Sequence, residues 1–205
     1  MRYIRRYDDR SRMTHWAVVL LFFCAALSGL ALFHPGLFFF SGLFGGGTWS
    51  RILHPFFGLL TVLAFVPLFA ALWRDNRWQP RDTEWMRHSG AMMRGDKAGM
   101  PAVGRYNAGQ KLVFWFLVAG LVVLLVTGFI FWQPYFADAF PILARRIAVV
   151  LHAVAAAVLV LAIIVHIYAG IWVRGTLRAM TRGTVTDAWA RQNHPLWYRE
   201  MTGGE

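Results

Sequence analysis

The 205-residue sequence is poor in cysteine and in negative charge. A single cysteine, Cys24, rules out a disulfide framework, a thiolate metal centre and a C-x-x-C-H haem attachment sequence. It lies in the middle of an apolar run and reads as a small packing residue. Only 10 Asp and Glu stand against 21 Lys and Arg, and charged residues make up 15% of the chain against 58% hydrophobic, too apolar for an ordinary soluble domain. Internal repeats and low-complexity segments are absent. The first apolar run is too long for a signal-peptide core and lacks a convincing small-residue cleavage site, so it is expected to stay in the mature chain.

The composition instead supplies long hydrophobic runs. Four are long enough to cross a bilayer, about 16–33, 52–73, 112–132 and 147–173. The expected fold is all-α: an integral membrane four-helix bundle forming one domain over 1–205. The positive charge is distributed by topology. Of the 21 Lys and Arg, only Arg51, Arg145 and Arg146 fall in the first and third inter-span loops; the rest lie before residue 16, in 74–111 and after Val173. The positive-inside rule then makes both termini, the 74–111 loop and the 174–205 tail cytoplasmic. That arrangement explains the charge without nucleic acid and leaves a secondary attraction to anionic membrane lipid.

Local signals refine the spans. Thr14 is placed to cap the first helix and Trp16 to sit at the interface, while Pro35 ends that helix. The glycine-rich aromatic stretch that follows reads as a loop, an interfacial segment or a docking surface. The second helix is expected from near Arg51, with Pro55 in its first turn and a kink at Pro67. Asp82, Thr83 and Glu84 suit the start of a short amphipathic helix, and GDKAGMPAVGRYNAGQK is a turn-rich approach to the third span. Gly120 and Gly128 read as close-packing positions. The tail has an amphipathic look and is expected on the inner surface or on a neighbour.

The fourth span carries His152 and His166, fourteen residues apart. On a helix that spacing rises roughly 21 Å and returns to nearly the same face, so a histidine sits near each membrane surface. Intramembrane imidazoles are costly and point to a functional site. Topology gives each a partner at its own depth: His54 with His152 on the outer side, and His15 with His166 on the inner side. Bis-histidine ligation of a b-type haem needs that arrangement. A small residue follows one turn on at three of the four, Gly58, Ala156 and Gly170, with Val19 the exception. The plainer alternative is a histidine hydrogen-bonded between helices. Two depth-matched pairs favour two haem b groups. His34, His88 and His194 have no depth-matched partner and read as interfacial or solvated.

Two haems spaced across a membrane make an electron path between a donor and an acceptor, and a lipid-soluble quinone suits the acceptor. Asn107 and Gln110, just before the third span, share the depth of His15 and His166 and offer amides to a quinone carbonyl. The alternative is that they simply cap that helix.

GRYNAGQK (Gly104–Lys111), ILHPFFG (Ile52–Gly58), WQPYFADAF (Trp132–Phe140), VHIYAGIWVRGT (Val165–Thr176) and HPLWYRE (His194–Glu200) resemble the cytochrome b556, or gamma, subunit of respiratory formate dehydrogenase, over nearly the whole chain. The resemblance implies an inner-membrane subunit that is not itself the formate-oxidising catalyst. It implies partners: an iron–sulfur (beta) subunit and a molybdenum- or tungsten-containing catalytic (alpha) subunit. It implies His54 and His152 as ligands of the outer haem, His15 and His166 as ligands of the inner one. Electrons would pass from the first to the second and on to menaquinone or ubiquinone near Asn107, Gly109 and Gln110. Ala108 departs from the family, which carries an aromatic residue there, and the TGGE end lacks a longer charged extension. The runner-up family is the cytochrome b of membrane-bound nickel–iron hydrogenases, from which GRYNAGQK and WQPYFADAF distinguish the chain. A haem-free anchor, or a transporter relaying protons through its histidines, is the alternative from another class.

Overall fold

The computed structural model describes residues 2–90 and 99–203. Arg94 and Lys97 of the basic loop, the opening GDKA of the turn-rich stretch and the Gly204–Glu205 end lie outside the described residues. Four long helices carry the apolar runs: α1 (Asp9–Phe33), α2 (Gly47–Leu72), α4 (Ala108–Phe131) and α5 (Ile142–Trp172). Each is long and apolar enough to cross a membrane. Between them α3 (Pro80–Arg87) follows α2, and the tail holds α6 (Thr176–Arg182), β2 (Thr184–Thr186), α7 (Asp187–Asn193) and α8 (Pro195–Thr202); β1 (Tyr3–Arg5) precedes α1.

The long helices begin earlier than the apolar runs do. α1 starts at Asp9, whose acid suits the positive end of the helix, so Thr14 lies inside it rather than capping it. α2 starts at Gly47, so Pro55 is in the helix interior and not in its first turn. The early start is set by Gly45 and Gly46, whose φ values of 85° and 99° suit glycine and turn the chain sharply. Ahead of them the aromatic stretch is a 3-10 helix, Pro35–Phe44, with the His34 ring accepting from the Gly36 amide at 3.0 Å.

The chain separates into two compact units: Met13–Ala70 with Phe116–Val165, and Met1–Arg12 with Ala71–Trp115 and His166–Glu205. The first holds most of the spans. Large apolar side chains such as Leu20, Leu63, Val122 and Leu161 are exposed along them, while Ser28, Ser50, Thr61 and Thr127 are buried. That inversion suits a lipid solvent. Each buried hydroxyl returns its hydrogen to the carbonyl one turn back, as Thr61 does to Phe57 at 2.7 Å and Ser50 to Gly46 at 3.0 Å. Gly120 is the close-packing position expected: a Cβ there would meet Leu159 Cδ1 at 2.6 Å, and Leu159 is fully buried.

The second unit is a small knot of termini and loop. β1 pairs antiparallel with β2, Tyr3 opposite Thr186 and Arg5 opposite Thr184. Ile4, Val185, Ala179, Trp189, Trp197 and Tyr198 form the core beneath. α3 starts two residues before the expected Asp82; that carboxylate accepts from the Gln79 amide at 2.7 Å. Asp82 also accepts from Lys111 Nζ at 2.7 Å, and both side chains are almost fully buried. Trp115 Nε1 donates to the Asn76 carbonyl at 2.9 Å.

Candidate functional site

The site is built by four helices of the first unit. His54, on α2, and His152, on α5, face each other with ring centroids 6.2 Å apart and planes at 76°. Their Nδ1 atoms are turned toward the other two helices. His54 Nδ1 lies 3.1 Å from the Ala25 carbonyl and 3.1 Å from Ser28 Oγ, both on α1. His152 Nδ1 lies 2.9 Å from Thr127 Oγ1 on α4. A carbonyl can only accept, so His54 carries its proton on Nδ1. The Thr127 hydroxyl spends its one hydrogen on the Val123 carbonyl at 2.6 Å and must accept from His152 in turn. Both rings therefore keep Nε2 deprotonated, the form in which imidazole binds a metal.

The separation fits an ion between the rings. Two metal–nitrogen bonds of about 2 Å each, with the ring radii added, call for roughly 6 Å between centroids. Space is present beside His54 as well. A Cβ at Gly58, one turn on, would meet nothing within 4 Å, which leaves that face open to a flat macrocycle. Among the described residues no group of three or more His, Cys, Asp or Glu could hold a bare metal ion; two imidazoles would serve a metal already held in a macrocycle.

His15 and His166 fall in different units, so the geometry bears on His54 and His152. His15 sits edge-on to Trp16, ring centroids 5.5 Å apart. His166 is on the exposed face of α5. Asn107 and Gln110 cap α4 reciprocally: Asn107 Oδ1 accepts from the Gln110 amide at 2.8 Å, and Gln110 Oε1 accepts from the Asn107 amide at 2.9 Å. Their side-chain NH2 groups make no further hydrogen bond among the described residues. A Cβ at Gly109 would lie 3.6 Å from the Trp85 ring, so Gly109 carries α4 past that side chain. The crevice among Trp85, Tyr106 and Asn107 has room for about one water, ≈ 10 Å³. An open groove of ≈ 760 Å³ lies elsewhere in this unit, against Arg2, Asp187, Arg191 and Arg199, and holds none of these residues.

Comparison with known proteins decides the family. The family described as prokaryotic cytochrome b561 matches residues 6–183. The chain is 42% identical over 198 residues to the formate dehydrogenase cytochrome b556(fdo) subunit of Escherichia coli K12, covering 97% of this chain and 93% of that one. It is 40% identical to the nitrate-inducible cytochrome b556(Fdn) subunit of the same organism, covering 95% and 89%. It is 38% identical to the formate dehydrogenase cytochrome b556 subunit of Haemophilus influenzae, covering 96% and 83%. The chain belongs to the prokaryotic cytochrome b561 family, among the formate dehydrogenase cytochrome b556 subunits. A b-type haem follows from that membership, and four apolar helices make this cytochrome b a multi-pass protein of the inner membrane.

The structure of the cytochrome adds residues that the sequence reading passed over. Ser28 contacts His54 and Thr127 contacts His152, and each is followed by a glycine lying against the same ring. A Cβ at Gly29 would meet His54 Cε1 at 2.9 Å, and one at Gly128 would stand 3.5 Å from His152 Cε1. Gly128 is, like Gly120, the close-packing position expected, and what it packs against on α5 is the His152 ring. A hydroxyl–glycine dipeptide near the end of a span was the available signal.

His194 corrects an expectation. It is 2% exposed, not solvated or interfacial. Its Nδ1 donates to the Gly104 carbonyl at 2.8 Å, and Nε2 faces Arg6 Nη2 at 3.4 Å. Burial and then the Arg6 charge lower its pKa to about 3. Arg6 is itself buried, its guanidinium 4.5 Å from the Trp197 ring centre and 5.2 Å from that of Trp189, and burial lowers its pKa too. This cluster fastens the N-terminal segment to the tail.

Proposed function

We propose that this cytochrome b is the di-haem membrane subunit of a formate dehydrogenase complex. The chain takes electrons from an iron–sulfur (beta) subunit, which is fed by a molybdenum- or tungsten-containing catalytic (alpha) subunit. It delivers them across the membrane to menaquinone or ubiquinone at the cytoplasmic side. The single observation that carries this reading is the opposed His54 and His152 pair, 6.2 Å apart, with both Nδ1 hydrogens already engaged.

His54 and His152 hold the outer haem, and His15 and His166 hold the inner one. A b-type haem held by two such imidazoles would supply a one-electron redox centre. The chain therefore moves charge and does not itself oxidise formate. Apolar helix faces toward lipid keep the liganding rings dry, while the basic 74–111 loop and tail hold both termini in the cytoplasm. At the start of α4 the spare amide hydrogens of Asn107 and Gln110 are suited to a quinone carbonyl, and Gly109 leaves the backbone free of a side chain between them. Quinone reduced there takes its protons from the cytoplasm. Formate oxidised outside releases its proton there, so the complex builds a proton gradient.

The test is a reduced-minus-oxidised spectrum of the complex purified with its partner subunits, using formate or hydrogen as reductant. Formate is expected to reduce two b-type centres and hydrogen neither. The absence of a b-type α-band, or reduction by hydrogen alone, would overturn the reading.

A further inference from the structure

Resting on the reading of His54 and His152 as outer-haem ligands, we infer that Ser28 and Thr127 are the positioning residues that fix their tautomer and ring angle. Each is buried in the bundle, Ser28 at 0% and Thr127 at 5% exposure. Each hydroxyl has one hydrogen, and each spends it on its own helix. Ser28 donates to the Cys24 carbonyl at 2.7 Å, Thr127 to the Val123 carbonyl at 2.6 Å. What remains on each oxygen is a lone pair, and a lone pair accepts only from a protonated Nδ1. The back-bond on the helix thus determines which nitrogen of the ring is left for iron.

Back-bonding alone is a common habit of serine and threonine in membrane helices. Ser50 and Thr61 show it here and make no further hydrogen bond among the described residues. Ser28 and Thr127 differ from them in two ways. Each lies within hydrogen-bond distance of a ring, at 3.1 Å and 2.9 Å. Each is followed by a glycine whose missing Cβ admits the Cε1 edge of that ring. The same two-residue device serves two histidines from two separate helices, α1 and α4.

A hydrogen bond from Nδ1 raises the basicity of the imidazole toward the metal, which favours the ferric state. Losing the acceptor should raise the midpoint potential of the haem that His54 and His152 hold and leave the other unmoved. The two acceptors are not equivalent. His54 keeps the Ala25 carbonyl at 3.1 Å when the Ser28 hydroxyl is removed. His152 has Thr127 as its close partner, with the Leu124 carbonyl also interacting with it.

The test is a potentiometric titration of haem absorbance, with low-temperature EPR of the ferric haems, on the intact complex carrying Thr127→Val, Thr127→Ser or Ser28→Ala. Thr127→Val is expected to move one haem to higher potential and shift its g-values, with Thr127→Ser restoring both. Ser28→Ala should shift the same haem in the same direction by less. Full haem content with titrations and g-values matching the unsubstituted complex would overturn the inference. If Thr127→Val loses the haem outright, Ser28→Ala decides: an unmoved potential there overturns it as well. His152→Ala separates this failure from that of the underlying reading. One haem lost in His152→Ala with unmoved titrations in the hydroxyl variants removes the positioning role alone; both haems retained in His152→Ala removes the ligand assignment and this inference with it.

Discussion

His54 and His152 are presented to each other across 6.2 Å by helices that reach the site from different parts of the sequence, and neither ring can turn without breaking a hydrogen bond at Nδ1. On the proposed reading, one haem iron would be shared by the two rings. Removing either ligand should therefore remove the same haem. His54→Ala and His152→Ala are each expected to lose about half of the b-type α-band, and the double variant no more than either single one. Haem extraction with a reduced spectrum checks it. A double variant that loses twice as much as either single one would mean that the two rings serve different groups.

The two glycines beside these rings should respond unequally to one added methyl. At Gly29 the Cβ would lie 2.9 Å from His54 Cε1, too close for the ring to stay where it is. At Gly128 the corresponding distance is 3.5 Å, an ordinary contact. Gly29→Ala is expected to lower haem content or broaden the EPR signal of one haem, with Gly128→Ala close to unsubstituted. Equal effects, or a larger one at Gly128, would contradict the packing described for α1.

The four spans were legible because crossing a membrane demands a continuous apolar run, and that demand is local. Their beginnings were not, because polar residues such as Asp9, Arg10 and Ser11 continue a helix as readily as they precede one. The pairing of His54 with His152 could be read from depth, since topology alone assigns depth. What faces each ring sideways could not. Ser28 stands 26 residues from His54 and Thr127 25 from His152, and only the packing of helices decides which hydroxyl meets which imidazole. His194 failed for the same reason: HPLWYRE reads as a surface segment until Arg6 is brought to it from the other end of the chain. Asn107 and Gln110 were read both as quinone amides and as caps, and the capping hydrogen bonds are present.

The pair of Asp82 and Lys111 gives a prediction about stability rather than electron transfer. Their side chains are 4% and 3% exposed, and each holds a second hydrogen bond, Asp82 from the Gln79 amide and Lys111 to the Arg77 carbonyl. Breaking such a pair from one side leaves a buried charge uncompensated, at about 3–5 kcal/mol. Asp82→Asn and Lys111→Met should each lower the midpoint of thermal unfolding of the purified complex. The double variant should lose less than the two combined, because it leaves no orphaned charge. Additive losses would show that the two groups stabilise the protein independently.

His194 predicts a pH dependence for the attachment of the N-terminal segment. Its pKa is about 3 in the folded state, pushed down by burial and by Arg6, against an ordinary value of 6.5. The folded form therefore holds the ring neutral, donating from Nδ1 to Gly104 and facing Arg6 through Nε2. Between those two values the unfolded segment binds a proton that the folded one does not, so stability falls as pH falls. The contribution is fully present above pH 6.5 and is lost progressively toward pH 3. The strand pairing of β1 with β2 reports it, since Ile4 and Val185 lie in the core beside Trp189 and Trp197. The amide hydrogen-exchange protection factors in 3–5 and 184–186, with the intrinsic slowing of exchange at lower pH divided out, should fall from pH 7 to pH 5. His194→Gln, which cannot take up the proton, should weaken the pairing at pH 7 and remove that pH-dependent loss of protection. An identical pH profile in the two proteins would show that another group controls the attachment.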